Sequence, residues 1–196
     1  MVKVIKKKRI ITPQKLSNEM QKHSPLKNGI YVKNEDDAYE NYNKIISRLY
    51  LGNKQAAKDK NFMKEYKIKA VLNCSKEKDI PNYFCDSDIE YMRIPVDDSL
   101  KQKDFDLLYK LLPVAVEFIH KHVDVMKQPV FVHCYAGRQR SVAVTAAYLI
   151  SKHNMDPVEA CKLILGKIKE AFHFGLSVNF DQTLNKFYNE IQKKKK

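Results

Sequence analysis

Short apolar runs alternate with segments of helical periodicity along most of the chain. The runs are rich in β-branched residues or alternate between apolar and polar positions, as strands do. The predicted strands are residues 45–46, 49–51, 68–74, 89–95 and 129–133. A turn at Ser47-Arg48 separates the first two. Strands that alternate with helices predict an α/β domain with helices packed on a central sheet.

Helix-like segments fill the intervals between those strands. The predicted helices are residues 53–59, a short helix that ends at residues 62–66, and residues 104–122, 140–150, 158–169 and 179–191. Asn53 and Asp104 are suited to cap the helices that follow them, and Pro157 takes the first position of another helix. Pro113 lies inside the segment 104–122 and predicts a kink or a restart there.

The chain has 196 residues, a usual length for one domain with a substantial core. Residues 1–40 are polar, lysine-rich and without clear periodicity, apart from one short helix predicted near residues 14–23. We therefore expect a basic N-terminal extension over residues 1–40, a folded domain over residues 41–191 and a lysine tail over residues 192–196.

The formal net charge of +13 is concentrated at the two ends of the chain. Such lysine runs are usually solvated, but they can also attract nucleic acid, an acidic membrane surface or an anionic substrate. No apolar stretch reaches the length of a membrane-spanning helix, and none follows the basic N-terminus as in a secretory signal. Four cysteines without metal-type spacing then favour a reducing location, the cytoplasm or the nucleus.

Residues 129–141 combine a strand, a short loop and the beginning of a helix. Successive backbone N–H groups and the helix dipole make this arrangement a common anion-binding site. Cys134 opens the loop and Arg140 closes it, so the thiol lies where negative charge is favoured and should be a thiolate at neutral pH. Adjacent strand residues point to opposite faces, which argues against direct pairing of Cys134 with His133.

The alternative interpretation of Cys134 is a small buried hydrophobic residue, which is the commoner role of a cysteine. Against it stands a joint pattern of five positions, which recurs by chance in roughly one chain of this length in ten thousand. The five positions are His133, Cys134, Gly137, Arg140 and Ser141.

A cysteine and an arginine separated by five residues and followed by serine resemble the signature of the cysteine-dependent protein tyrosine phosphatases. The pair Ala136-Gly137 and the earlier step Tyr50-Leu51-Gly52 are most similar to the dual-specificity phosphatases, and the resemblance covers about residues 45–187. It implies a protein-tyrosine-phosphatase-like fold with a central mixed sheet flanked by helices. It also implies hydrolysis of phosphotyrosine and phosphoserine/threonine through a cysteinyl-phosphate, with no metal or other cofactor.

Roles for the signature residues follow from this resemblance and from their chemistry. Cys134 attacks phosphorus, and the Arg140 guanidinium offers the planar fork that phosphoryl oxygens bind. Ser141 stabilises the departing thiolate, and His133 orients the loop. The phosphate-binding positions are Tyr135, Ala136, Gly137, Arg138, Gln139 and Arg140.

The signature loop contains no carboxylic acid to protonate the leaving oxygen, so a second loop must supply one. In dual-specificity phosphatases this acid follows a strand as Ile-Pro-x-x-Asp, and residues 94–98 match that pattern with Asp98 as the acid. Asp97 is better explained as a turn residue. Asp104 is a further candidate, better explained as a helix cap.

Cys74 ends the strand that we expect beside the signature strand. In some relatives a cysteine at this place forms a reversible disulfide with the nucleophile, whereas a packed core thiol is the simpler interpretation. Arg138 and Gln139 depart from the common loop, and basic residues there occur in relatives that act on phosphoinositides or RNA 5′ ends. An outward-facing Arg138 that merely raises the local positive potential is the alternative.

The leading hypothesis is a phosphatase that acts on phosphoprotein substrates. Arg138 and the charge of +13 leave open an RNA 5′-triphosphatase or a phosphoinositide phosphatase with the same mechanism, which would bind RNA or an anionic lipid. A non-catalytic phosphate-binding scaffold is a third hypothesis, against which the intact set of Cys134, Arg140, Ser141 and Asp98 argues. Some small relatives dimerise through N-terminal segments, so a homodimer formed through residues 1–40 is also open.

Overall fold

A computed structural model describes residues 26–27, 30–31, 40–85, 87–99, 101–172 and 181–195. The strands are β1 (Leu26–Lys27), β2 (Ile30–Tyr31), β3 (Tyr42–Ile46), β4 (Leu49–Gly52), β5 (Ala70–Asn73), β6 (Glu90–Arg93) and β7 (Val130–His133). The helices are α1 (Lys54–Lys58), α2 (Lys60–Glu65), α3 (Gln102–His120), α4 (Arg140–Lys152), α5 (Pro157–Leu165) and α6 (Asp181–Lys194). A π-helical segment, Lys121–Val125, continues α3.

The central sheet has five strands in the order β3-β4-β7-β5-β6. Strands β3 and β4 are antiparallel, and every other neighbouring pair is parallel. Strand β7 therefore lies in the middle of the sheet, between β4 and β5. Because the carboxyl ends of parallel strands meet at one edge, the loops that follow β5, β6 and β7 lie close together. The predicted α/β fold with a mixed sheet is confirmed.

Helices cover both faces of the sheet, because successive residues of a strand point to opposite sides. On β7, Val130 and Val132 contact the larger core, to which α3, α4, α5 and α6 contribute. Phe131 contacts a smaller core on the other face, together with residues of α1 and α2. Cys134 continues the alternation and belongs to the larger core.

Helix α3 runs from Gln102 to His120 through Pro113, so the predicted restart at this proline is wrong. A proline inside a helix removes one backbone hydrogen bond and costs about 3 kcal/mol. Buried side chains on both sides of it, Leu112 and Ala115 among them, pack against the core and offset that cost.

Asp104 lies inside the first turn of α3 rather than before it, so its predicted role as helix cap is wrong. The capping position belongs to Lys101, whose backbone is extended and whose carbonyl accepts the Asp104 N–H. The Asp104 carboxylate instead accepts a hydrogen bond from the hydroxyl of Ser99.

The other helices differ from prediction mainly at their ends. Helix α5 ends at Leu165, just before Gly166, rather than at Lys169. Asn53 caps α1 through its side chain, as expected. The helix predicted near residues 14–23 and the predicted start of the last helix at residue 179 lie outside the described residues. None of the described helices is long and apolar enough to cross a membrane.

Candidate active site

The loop of residues 134–139 joins the end of β7 to the start of α4 at the carboxyl edge of the sheet. Gly137 has φ 73°, in the left-handed region that glycine adopts without steric cost. A Cβ at this position would lie 2.8 Å from the backbone of Gly52. Glycine therefore allows both the turn of the loop and its close packing against the end of β4.

Two backbone hydrogen bonds hold the loop from either side. The N–H of Lys54, at the start of α1, donates to the carbonyl of Tyr135 at 3.1 Å. The N–H of Phe172 donates to the carbonyl of Arg138 at 2.8 Å. Because the carbonyls point outward to these donors, the loop is held in one shape by elements on both sides of the sheet.

Among the described residues, most backbone N–H groups from the loop to the start of α4 have no hydrogen-bond acceptor. They are the N–H groups of Tyr135, Ala136, Gly137, Gln139 and Arg140. Polar backbone groups are normally paired, so a run of unpaired donors at a helix N-terminus is typical of an anion-binding loop.

The thiol of Cys134 lies at the beginning of this loop, at the end of the signature strand. The residue is 1% exposed, and the hydroxyl of Ser141 donates a hydrogen bond to Sγ at 3.2 Å. Ser141 belongs to the first turn of α4, which places it above the end of β7. A hydroxyl that donates to the sulfur stabilises negative charge there.

The guanidinium of Arg140 connects the signature loop to the loop that follows β6. Its Nη1 donates to the carbonyl of Val96 at 3.2 Å, and its Nη2 lies 3.3 Å from Oδ2 of Asp98. Arg140 is 4% exposed, so both contacts are made in a largely desolvated place. The structure thus brings Cys134, Ser141, Arg140 and Asp98 together from two separate stretches of sequence.

The two neighbouring carboxylates of the second loop have different environments. Asp97 is paired with Lys76 at 2.6 Å and accepts the Asp98 N–H at 2.9 Å. The hydrogen bond from Lys76 lowers the pKa of Asp97, with a smaller contribution from the Asp98 N–H. Burial raises the pKa of Asp98, although the charge of Arg140 opposes this. These opposite shifts favour Asp98 over Asp97 as the candidate proton donor.

The imidazole of His133 lies on the opposite face of the sheet from the Cys134 thiol. Its ring stacks on Phe131, with centroids 5.3 Å apart and an interplanar angle of 15°. Burial lowers the pKa of His133 to about 4, so the ring is neutral at pH 7. A neutral ring on the other face does not form a dyad with Cys134.

Cys74 directly follows β5, beside the signature strand. Its N–H donates to the carbonyl of His133 at 2.7 Å, which extends the pairing of β5 with β7 by one residue. The residue is 0% exposed, and both Cys74 and Cys134 are free thiols. Burial raises the pKa of Cys74 well above its usual range, and the neighbouring Cys134 raises it further.

Tyr135 and Ala136 expose their side chains beside Cys134. Tyr135 is 48% exposed, and the Lys54 ammonium lies 3.6 Å from the centroid of its ring. A hydrogen bond from Lys54 lowers the pKa of the Tyr135 phenol. This pair places a cation and an aromatic ring next to Cys134.

The two unusual residues of the loop, Arg138 and Gln139, lie in different environments. Arg138 is half-buried and lines a cavity of about 140 Å³ together with Asn41 and Asn53. Gln139 is 2% exposed, and neither polar atom of its side-chain amide has a hydrogen-bond partner among the described residues. The Gln139 side chain is therefore packed inside the protein, where its amide makes no hydrogen bond to the described residues.

Sequence reasoning missed the residues that hold the second loop. Lys76 forms an ion pair with Asp97, and the carbonyl of Val96 accepts a hydrogen bond from Arg140. The hydroxyl of Ser99 donates a hydrogen bond to Asp104. A signal was available for Lys76, since it follows β5 and Asp97 follows the neighbouring strand β6 at the same edge of the sheet.

The protein-family model for the dual specificity phosphatase catalytic domain matches residues 49–190 of the chain. The chain belongs to the dual-specificity phosphatase family. The dual specificity protein phosphatase Mpk3 of Drosophila melanogaster is 36% identical over 143 residues, covering 68% of this chain and 33% of that protein. The chain therefore spans about a third of the length of this curated relative.

Solved structures show the same dual-specificity phosphatase fold. Human DUSP28 has a TM-score of 0.69 at 21% identity, with 79% of this chain and 97% of that chain covered. PTPMT1 in complex with PI(5)P has a TM-score of 0.64 at 22% identity, with 80% of this chain and 100% of that chain covered. At these identities the similarity shows the fold alone.

Proposed function

We propose that the chain is a phosphoprotein phosphatase that hydrolyses phosphotyrosine and phosphoserine/threonine through a cysteinyl-phosphate. One observation supports this most directly: a thiol that accepts a hydrogen bond from Ser141 stands at the start of an anion-binding loop whose final arginine contacts Asp98. Nucleophile, anion site and proton donor are the three parts that this reaction needs.

In the first step, the Cys134 thiolate attacks phosphorus in line with the leaving oxygen. The S–P bond forms while the P–O bond to the substrate breaks, and Asp98 gives its proton to the departing alkoxide or phenoxide. The unpaired loop amides and the Arg140 guanidinium bind the three equatorial oxygens, where negative charge is spread in the transition state.

In the second step, Asp98 is a carboxylate and accepts a proton from a water molecule that attacks the cysteinyl-phosphate. The P–O bond to water forms while the S–P bond breaks, which returns inorganic phosphate and the thiolate. The Ser141 hydroxyl already donates to Sγ and stabilises the charge that returns to sulfur. His133 supports the loop from the other face of the sheet.

Highly anionic substrates are the second candidate class, with the same mechanism. Arg138 and the charge of +13 favour a phosphoinositide or an RNA 5′ end. PTPMT1, one of the structural neighbours, was solved with PI(5)P. Because Arg138 lines a cavity beside the loop rather than closing the loop as Arg140 does, we rank phosphoproteins first.

Location and assembly remain proposals that fit this chemistry. A catalytic thiolate needs a reducing environment, so we propose the cytoplasm or the nucleus. A homodimer formed through residues 1–40 and binding of the basic ends to anionic partners also remain predictions.

A panel of substrates tests the proposed function. At one pH and ionic strength, we expect turnover of an aryl phosphate, a phosphotyrosine peptide and a phosphothreonine peptide. Release of inorganic phosphate would be compared with that from phosphoinositide vesicles and from RNA with a 5′-triphosphate. Higher kcat/KM for the lipid or the RNA would contradict the phosphoprotein assignment, and binding of phosphate without turnover of any substrate would support a scaffold.

We also propose that Cys74 protects the nucleophile under oxidation. Cys74 and Cys134 continue the register of two neighbouring parallel strands, and such strands lie about 4.8 Å apart, within the range that a disulfide spans. Peroxide would convert the Cys134 thiolate to a sulfenic acid. Attack by the Cys74 sulfur would then form the disulfide and release water. The disulfide blocks further oxidation of Cys134.

Replacing Cys74 by serine tests this protection. We expect the variant to accumulate sulfinic and sulfonic acid at Cys134 several-fold faster than the wild type under peroxide, and to recover less activity after reduction. Peptide mass spectrometry measures the sulfinic and sulfonic acid forms of Cys134. Cys85→Ser, which changes an exposed thiol, is the control. An unchanged rate of over-oxidation in Cys74→Ser would rule out the disulfide.

A further inference from the structure

The loop that carries Asp98 is tied to three separate elements of the fold. Asp97 is paired with a lysine that follows β5. Asp98 contacts Arg140 at the start of α4. The hydroxyl of Ser99 donates a hydrogen bond to Asp104 in the first turn of α3. The proposed reaction uses Asp98 and Arg140 directly, which leaves the bond between Ser99 and Asp104 without an assigned role.

Asp104 is unusual because it is a carboxylate that is 4% exposed. Burial of a carboxylate costs free energy unless hydrogen bonds or nearby charges compensate for it. The Ser99 hydroxyl supplies a hydrogen bond, and the N-terminal end of the α3 dipole favours negative charge. The helix is itself held in the core by Leu108 and Leu112, both 0% exposed. Asp104 therefore has a fixed position, and its hydrogen bond from Ser99 can hold the loop that carries Asp98.

Ser99 is the residue directly after Asp98, so a hydrogen bond at Ser99 limits where the Asp98 carboxyl can lie. The contact between Asp98 and Arg140 cannot do this throughout the reaction. Phosphoryl oxygens need the same guanidinium N–H groups, so substrate competes with Asp98 for Arg140. Once Arg140 binds the substrate, the bond from Ser99 to Asp104 still holds the loop.

We propose that Asp104 is a positioning residue, which acts through Ser99 to hold Asp98 within reach of the leaving oxygen. The inference rests on the proposed phosphatase function and adds to it a determinant of the proton-transfer step. A displacement of about 1 Å in a catalytic group can lower a rate on the order of 10²-fold, so one hydrogen bond next to the acid has a measurable effect.

A positioning role and a purely structural role predict different patterns of loss. Reduced stability lowers the amount of active protein and affects all substrates equally. Misplacement of Asp98 lowers kcat/KM, which reports the steps up to formation of the cysteinyl-phosphate, only for substrates whose leaving group needs a proton. Phenol has a pKa of about 10 and needs one, whereas a dinitrophenolate leaves without it.

The test compares kcat/KM for phenyl phosphate and dinitrophenyl phosphate in Ser99→Ala and Asp104→Ala, because kcat/KM excludes the later hydrolysis of the cysteinyl-phosphate. We expect a loss of about tenfold on phenyl phosphate and a change of less than about twofold on dinitrophenyl phosphate. Asp104→Asn should recover most of the phenyl phosphate activity, because its amide oxygen can still accept from Ser99. Asp106→Ala, which removes an exposed carboxylate of the same helix, is the matched control.

A double-variant experiment shows whether the effect passes through the acid. In an Asp98→Asn background, Ser99→Ala should cause no further loss on phenyl phosphate, because the proton donor is already absent. An additional loss in that background, equal losses on both substrates or unchanged rates in Ser99→Ala would each overturn the positioning role. Ser99→Ala carries the test by itself if Asp104→Ala does not fold.

Failure of the inference is distinguishable from failure of the proposed function. A wild type that turns over neither aryl phosphate would overturn the phosphatase function, and the positioning role with it. A wild type that turns over both, with uniform losses in the variants, would overturn the positioning role alone.

Discussion

Replacing Cys134 by serine should abolish turnover, with a loss on the order of 10⁴-fold or more in kcat for an aryl phosphate. A serine hydroxyl is not ionised at neutral pH, and the Ser141 hydroxyl then has no thiolate to stabilise. Binding of phosphate should persist, because Arg140 and the loop amides are unchanged. Initial rates measure the loss, and binding of inorganic phosphate checks that the loop is intact.

A chemical quench supplies the second measurement for this variant. Wild type quenched in acid during turnover should carry one phosphate on Cys134, which mass spectrometry of the denatured protein detects, and Cys134→Ser should carry none. Cys85→Ser removes an exposed thiol and should retain the rate of the wild type. Activity that survives Cys134→Ser would falsify the cysteinyl-phosphate mechanism.

Replacing Asp98 by asparagine should lower kcat/KM for phenyl phosphate about 10²-fold or more, because the leaving phenoxide loses its proton donor. Dinitrophenyl phosphate should lose far less in kcat/KM, since its leaving group needs no proton. The two kcat/KM values measure the contrast in the first step, whereas kcat also includes the second step, in which Asp98 is the base for both substrates. Asp97→Asn is the matched control, because its carboxylate is already paired with Lys76 in the turn.

The pH dependence of the same variant follows from the direction of the pKa shift at Asp98. Burial raises this pKa, and Asp98 must be protonated to act as an acid, so the rate falls as pH rises through that pKa. Asp98→Asn should therefore lose the basic limb of the profile for phenyl phosphate. In the wild type, Arg140 lowers the pKa of Asp98 in the free protein and is drawn to the substrate in the complex. The basic limb of kcat should lie at higher pH than that of kcat/KM.

Two outcomes would contradict the assignment of Asp98. One is a loss of equal size in kcat/KM on phenyl and dinitrophenyl phosphate, which would indicate a damaged phosphate site. The other is a larger loss in Asp97→Asn than in Asp98→Asn, which would transfer the role to the neighbouring carboxylate.

Local patterns predicted most elements because local physics determines them. The β-branched run before Cys134 forms the central strand, and the Ala-rich segment after Arg140 forms a buried helix. Asn53 caps its helix through bonds to residues two and three positions away, which need no distant partner. Pro113 shows the limit of such reasoning, since packing of α3 against the core overrides the local preference for a break.

The strand, loop and helix of the candidate site were predicted from the sequence, whereas the contacts around the loop were not. A loop between a strand and a helix is contiguous in sequence, so Cys134, Gly137 and Arg140 could be recognised together. Only the resemblance to the family pattern Ile-Pro-x-x-Asp favoured Asp98 over Asp97 as the candidate proton donor. Pairing of Asp97 with Lys76 and contact of Asp98 with Arg140 give that distinction a physical basis.

The sequence by itself determined the order of strands and helices, the candidate anion-binding loop and its candidate nucleophile, because each depends on residues that are near one another in the chain. Only the tertiary structure decided what surrounds that loop. Parallel pairing of β5, β6 and β7 brings three loops to one edge of the sheet, where Arg140 meets Asp98 and Cys74 lies beside the signature strand. The bond from Ser99 to the buried Asp104 likewise depends on how α3 packs on the sheet, which no local pattern specifies.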